Sequence, residues 1–149
     1  MSINTKLSVG IHILALLDTN KENVNTSEYM ASSINTNPAV VRKITGLLRN
    51  AGMVEARPGV AGAKLAKPIA GITLLDVYRA VNPEHGTDLF SMHNNPNPDC
   101  LIGRHVQTSL ESHFAAAQRA LELELEKVTV GDIVHDIMAM EHDGSLSGS

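Results

Sequence analysis

Tryptophan is absent from this chain, and phenylalanine and tyrosine contribute only two residues each (Phe90, Phe114, Tyr29, Tyr78). That scarcity argues against a single-stranded nucleic-acid groove, which depends on aromatic side chains for bases to stack on. It suits instead a helical core built from Leu, Ile, Val and Ala. Cys100 is the only cysteine, so an intramolecular disulfide is impossible. No apolar run approaches the length of a membrane span, and no charged-then-apolar leader opens the chain, so a cytoplasmic protein is expected. Positive charge is also in short supply. Twelve basic residues face sixteen acidic ones, a formal net charge of −4. At 149 residues the chain is long enough for one domain with a core of its own.

What is present reads as helices. Leu7, Ile11, Leu14 and Leu17 recur at helical spacing, predicting a first helix over about residues 6–18. A polar loop follows, residues 19–25. Thr26 or Ser27 then starts a second helix, with Glu28 in its first turn. Asn35-Thr36-Asn37 forms a turn. Pro38 opens a third helix whose buried face is Val41, Ile44, Leu47 and Leu48, and Gly52 closes it. Residues 53–57 and 63–66 are expected to be extended, around the tip Pro58-Gly59-Val60-Ala61-Gly62. A fourth helix is expected at 74–81, capped by Thr73. Residues 82–100 read as a long loop rich in Asn, Pro and Asp. A long amphipathic helix over 101–126 and a last helix over 129–140 follow, and the small polar residues 144–149 read as a disordered tail. The fold class is therefore mainly α with a small β-wing: a winged helix-turn-helix unit at 1–81, a sensor-type loop at 82–100, and dimerisation helices at 101–143.

The charges are not spread evenly. Residues 38–67 hold Arg42, Lys43, Arg49, Arg57, Lys64 and Lys67 against Glu55 alone. Residues 101–149 hold eight acids against Arg104, Arg119 and Lys127. A basic second helix after a tight turn is how helix-turn-helix proteins enter the DNA major groove, so one region can meet phosphate while the rest repels it. The candidate contact set is Ser27, Thr36, Asn37, Val40, Arg42, Lys43 and Arg49 from the helix pair, with Arg57 and Lys64 from the wing. Arg42 and Lys43 lie where base edges are read, and an arginine pairing with guanine discriminates by about 1–3 kcal/mol. The plainer alternative for that pair is a solvated helix face; for Ser27, Thr36 and Asn37 it is helix capping.

The run Asn37-Pro-Ala-Val-Val-Arg-Lys-Ile, then Leu48-Arg-Asn-Ala-Gly-Met-Val, the wing, and Ile72-Thr-Leu-Leu-Asp-Val-Tyr-Arg-Ala-Val81 closely resembles the Rrf-type winged-helix regulators of bacteria. The resemblance covers nearly the whole chain, and Asn95-Pro-Asn-Pro-Asp-Cys-Leu-Ile-Gly103 looks most like the cluster-free, YwnA-type branch. It implies a homodimeric transcription factor, usually a repressor, on a pseudo-palindromic double-stranded DNA site. Many relatives hold an iron–sulfur cluster on three cysteines before the long helix. This chain keeps only Cys100 there, with Gly103 where one cluster-binding relative has a histidine, so no cofactor is expected. The wing also departs from the family: Ala61-Gly62-Ala63 stands where many relatives carry Gly-Gly-Tyr.

Val106, Leu110, Phe114, Ala117, Leu121 and Leu125 form a continuous stripe along the long helix, which must be buried. A second copy is the expected cover; the alternative is the chain's own N-terminal domain. Cys100, at a helix N-terminus, is a candidate sensor of oxidants or small molecules, or else a small buried hydrophobe. His85, His93, His105 and Asp99 lie near it but match no metal-ligand spacing, and no metal is assigned. Leu7, Ile11, Tyr29, Leu74 and Tyr78 are candidates to line an effector pocket. Two other functions compete: a protein-interaction subunit on the same fold, and a small thiol- or metal-dependent enzyme, for which no nucleophile–base pattern exists.

Overall fold

A computed structural model of the chain describes residues 1–83 and 96–147. Helix α1 spans Ile3–Thr19, three residues earlier than hydrophobic spacing alone predicts, because Ser2 caps it: its hydroxyl accepts the Thr5 amide at 3.2 Å. Its buried face, Val9, Ile13, Leu14 and Leu17, is one wall of the core. Helix α2, Ser27–Ile34, is capped by Thr26, whose Oγ1 accepts the Tyr29 amide at 3.1 Å. It ends where Asn35 turns left-handed at φ 62°, and the Thr36 amide donates back to the Ala31 carbonyl at 3.0 Å. Asparagine tolerates that conformation better than a branched residue would.

Helix α3, Pro38–Asn50, begins at once. Asn37 Oδ1 accepts the Val40 amide at 3.0 Å, and Pro38 occupies the first turn, where no amide hydrogen is needed. Val41, Ile44 and Leu48 point inward and are fully buried. The helix ends in a Schellman motif: Met53 N–H donates to Leu48 O at 3.0 Å and Gly52 N–H to Arg49 O at 2.9 Å, with Gly52 at φ 81°. The wing follows. Strands β1 (Val54–Glu55) and β2 (Lys64–Leu65) pair antiparallel, with Val54 opposite Leu65 and Glu55 opposite Lys64. The ladder is shorter than the two expected extended segments. Pro58, which lacks an amide hydrogen, and the left-handed Gly59 and Gly62 turn the chain between them.

A single 3-10 turn at Ile69–Gly71 leads to α4, Leu74–Ala80. Two reciprocal capping boxes of the same form stand side by side. Thr73 and Asp76 cap α4, at 2.9 and 3.0 Å. Thr129 and Asp132 cap the last helix, α6 (Val130–Ser147), also at 2.9 and 3.0 Å. Between them Leu74 N–H donates to Val128 O and Val130 N–H to Ile72 O, both at 2.8 Å, so the start of α6 is stitched to the start of α4. Helix α6 therefore begins at Val130 with Thr129 as its cap. It runs on to Ser147, past Gly144, where composition alone predicts a disordered tail.

Helix α5, Leu101–Glu126, is about 39 Å long at 1.5 Å per residue. It packs chiefly on α4. Gln118, its one buried residue, donates to Tyr78 Oη at 3.4 Å, and Glu122 pairs with Arg79 at 3.5 Å. Val106, Leu110, Phe114, Ala117, Leu121 and Leu125 are each half-buried in the single chain. Apolar side chains remain outside, among them Ile102 at 70% exposure and Met140, on α6, at 69%. No helix among the described residues is long and apolar enough to cross a membrane.

Candidate nucleic-acid interface

With Val41, Ile44 and Leu48 committed to the core, the opposite side of α3 presents Ala39, Arg42, Lys43, Gly46, Arg49 and Asn50. Those positions recur at steps of three and four, so they form one stripe. Arg42, Lys43 and Arg49 are exposed on it, as the sequence reading requires. Val40 is not: its side chain is half-buried against the core. Asn37 is exposed but uses its side-chain oxygen as the α3 cap, and Thr36 is half-buried with its amide bonded to Ala31. Ser27 lies one residue inside α2 rather than at its cap. Capping is therefore the realised role of Asn37.

Sequence spacing missed what crosses between elements. Glu28, in the first turn of α2, reaches Arg42 across the helix-turn-helix, 3.6 Å between Oε1 and NH1. Both side chains stay open to water, at 72% and 59% exposure, so the pair steers Arg42 more than it stabilises the fold. The wing is anchored by a loop that looks featureless as sequence. Asn25 is buried, and its amide group donates to Asn20 O at 3.1 Å while its Oδ1 accepts from Asn20 Nδ2 at 2.9 Å. Asn25 O then accepts the Ala63 amide at 3.3 Å. Gly62 rides against Val24 and the Asn25 backbone; a Cβ there would stand 3.0–3.1 Å from them. The wing thus has a fixed position beside α3, with exposed Arg57 and Lys64 on either side of its tip.

Between α2, α3 and the wing lies a cleft of about 290 Å³, lined by Ser27, Arg42, Thr45, Gly46, Arg49 and Gly62 among others. Two features of its wall work against stability. Gly46 is in mid-helix, costing roughly 0.5–1 kcal/mol relative to alanine, yet a Cβ there would meet nothing within 4 Å. Thr45 Oγ1 is shut off from solvent with no hydrogen-bond partner among the described residues, an omission that costs about 1–3 kcal/mol. A larger open cleft of about 400 Å³, between the end of α3 and α4, includes none of the candidate contact residues. None of the candidate effector-pocket residues lines either of these clefts. Tyr78 is buried and Tyr29 exposed, while Leu7, Ile11 and Leu74 pack on the core or beside it.

This geometry has counterparts among known proteins. The sequence profile of the family described as "Rrf2: Iron-dependent Transcriptional regulator" matches residues 3–136. The chain belongs to the Rrf2 family. YwnA of Bacillus subtilis (strain 168), provisionally named an HTH-type transcriptional regulator, is 43% identical over 135 residues, covering 91% of this chain and 98% of that protein. A crystal structure described provisionally as a DNA-binding protein shares 40% identity and a TM-score of 0.69 over 86% of this chain and 97% of its own. CymR (YrzC), the global cysteine regulator of B. subtilis, shares the fold at a TM-score of 0.63 and 21% identity, over 91% of this chain and 97% of its own. The Rrf2 relatives are transcriptional regulators, not enzymes, which removes the enzyme alternative.

The family description mentions iron, and the described residues do not fit an iron or cluster site. Cys100 is the lone thiol, exposed at the N-cap of α5 in the single chain. The loop before α5 folds over the helix start instead. Asn97 O accepts the Cys100 amide at 3.3 Å, and Asn97 Oδ1 accepts the Asp99 amide at 3.0 Å. At Gly103 even a Cβ would collide with the Asn97 carbonyl, so no ligating side chain has room to project there. No three ligand-type side chains cluster among the described residues, and His85 and His93 lie outside them.

Proposed function

We propose that this Rrf2-family protein is a cytoplasmic, sequence-specific DNA-binding repressor that acts as a homodimer without an iron–sulfur cluster. The observation that carries this reading is the exposed basic stripe of α3 set beside a basic wing in an otherwise acidic chain. In it, Arg42 and Lys43 read base edges in the major groove. Arg49 and Ser27 hold phosphates, and Arg57 and Lys64 flank the neighbouring groove. A second copy covers the apolar residues left outside on α5 and α6, and the resulting twofold matches a pseudo-palindromic operator. Cys100, exposed at the start of α5, is the candidate point of entry for a redox or small-molecule signal.

The test is selection of bound fragments from genomic DNA by the purified protein, followed by titration of the enriched duplex across salt concentrations. An enriched palindrome whose affinity falls steeply with salt supports the reading. Failure to enrich any sequence at low salt defeats it and favours a protein-interaction role. Sedimentation of Phe114→Glu beside the parent tests the dimer: the parent should sediment as twice the chain mass and the variant should not. Release of the operator by oxidant in a Cys100→Ser protein, as in the parent, would remove the thiol from the signal.

A further inference from the structure

We infer that the cleft between α3 and the wing seats one phosphate of the DNA backbone, and that Gly46 is the residue that admits it. The inference rests on the DNA-binding reading and adds a position to it.

Gly46 has neither of the usual reasons for a glycine. Its backbone is ordinary helix, and no neighbour crowds the place of a Cβ. It nevertheless interrupts α3 on the wall of the cleft, between Arg42 and Arg49. A residue that weakens its own helix with no packing reason is expected where a site serves something outside the chain. The surroundings say what that something is. Ser27 supplies a hydroxyl donor, Arg49 supplies a cation beside Arg42, and Gly62 narrows the opposite wall without a side chain. Among the described residues, no carboxylate lines the cleft. Such a lining suits a singly charged phosphodiester, and the fixed wing leaves a groove in which a duplex strand can run between α3 and β2. A side chain at 46 would hold the strand off by about the radius of a methyl group, which is enough to lengthen every hydrogen bond beyond it.

The experiment compares the parent with Gly46→Ala and Thr45→Val on a labelled mixed-sequence duplex about three helical turns long, at several low salt concentrations. Thermal melting of each protein runs alongside. Gly46→Ala should melt about 2–4 °C higher, because alanine is the better helix former. It should bind about tenfold more weakly, with a salt dependence shallower by about one phosphate. Thr45→Val, which removes a hydroxyl shut off from solvent, should melt no lower than the parent and bind the duplex as the parent does. If Gly46→Ala binds the duplex as tightly as the parent, or Thr45→Val weakens binding as much as Gly46→Ala does, the inference is overturned while DNA binding stands. A loss of affinity at an unchanged salt slope overturns it too, since no phosphate contact was then removed. If the parent binds no duplex at any salt, the DNA-binding reading falls and this inference with it.

Discussion

Replacing Glu28 by glutamine should strengthen DNA binding, although it removes an ion pair. The pair joins Glu28 to Arg42 at 3.6 Å, with both side chains largely in water. An exposed pair contributes about 0–1 kcal/mol to folding. Glu28 also lies in the first turn of α2, where a negative charge meets the positive end of the helix for about another 0.3–1 kcal/mol. The loss of both lowers stability by at most about 2 kcal/mol, read as a small drop in melting temperature. The effect on DNA has the opposite sign. At about 4 Å in water the attraction holding Arg42 to Glu28 amounts to roughly 1 kcal/mol. Freeing the guanidinium for phosphate or base should raise affinity about fivefold. If Arg42 then takes a phosphate, the slope of log affinity against log salt steepens by about 0.9. Fluorescence anisotropy on one labelled duplex at four salt concentrations reads both quantities. Arg42→Ala in the same series should weaken binding, and the double variant should match Arg42→Ala, because Glu28 acts through Arg42. A Glu28→Gln protein that binds no better than the parent would refute the reasoning, since Glu28 would then be an unrelated surface acid.

Gly10 is the converse of Gly46. A Cβ there would stand 3.0 Å from Val77 Cγ1 and 3.4 Å from Val81 Cγ1, two fully buried side chains with nowhere to move. Gly10→Ala should therefore lower stability in urea by about 1–2 kcal/mol, despite the gain in helix propensity, and adding Val77→Ala should cost less than the two separate losses combined. Asp132→Ala should lower stability by about 1 kcal/mol, because the Thr129 amide loses its acceptor at the start of α6; Asp76→Ala should do the same at α4, measured by the same denaturation. His12 is half-buried with Nε2 3.1 Å from Ser33 Oγ, and burial holds its pKa below the usual 6.5. The unfolded chain then binds more protons than the folded one just below pH 6.5, so stability is present above that pH and declines as pH falls toward the lower folded value. His12→Gln should flatten that decline; an unchanged slope would show that another group sets it.

The features most legible in the sequence are those with local causes. Helix α3 could be bounded on both sides because its start and stop are written in adjacent residues, Asn37-Pro38 and Gly52, and its inward face follows from helical spacing. The start of α1 was missed because Ser2 caps the helix before the hydrophobic spacing begins. The two arms of the wing and the glycine tip between them are legible too; that only Val54–Glu55 and Lys64–Leu65 pair as strands depends on how the arms meet. The stripe of basic residues was legible; what controls it was not. Glu28 against Arg42, Asn25 under Ala63, and Asn97 over Gly103 each join residues whose meeting depends on how whole elements are set against one another. No single-residue preference encodes such a meeting.

The same limit conceals how the long helix is tied to the reading helix. The apolar stripe of α5 suggests a surface for a second copy, but only the fold shows where that helix is fastened to its own chain. Its middle is held to α4 by Gln118 on Tyr78 and Glu122 on Arg79. Its end returns to α4 through the two 2.8 Å backbone bonds that stitch residues 72–74 to 128–130. Helix α4 in turn packs on α1 and α3 through Val77 and Val81, which are fully buried. A shift of α5, whatever produces it, is therefore delivered to α3 as a movement of α4 against a close-packed core. Such cores move between discrete arrangements more readily than they deform. In the proposed dimer, the same rigid fastening would let a change at the far end of α5 alter the spacing of the two reading helices.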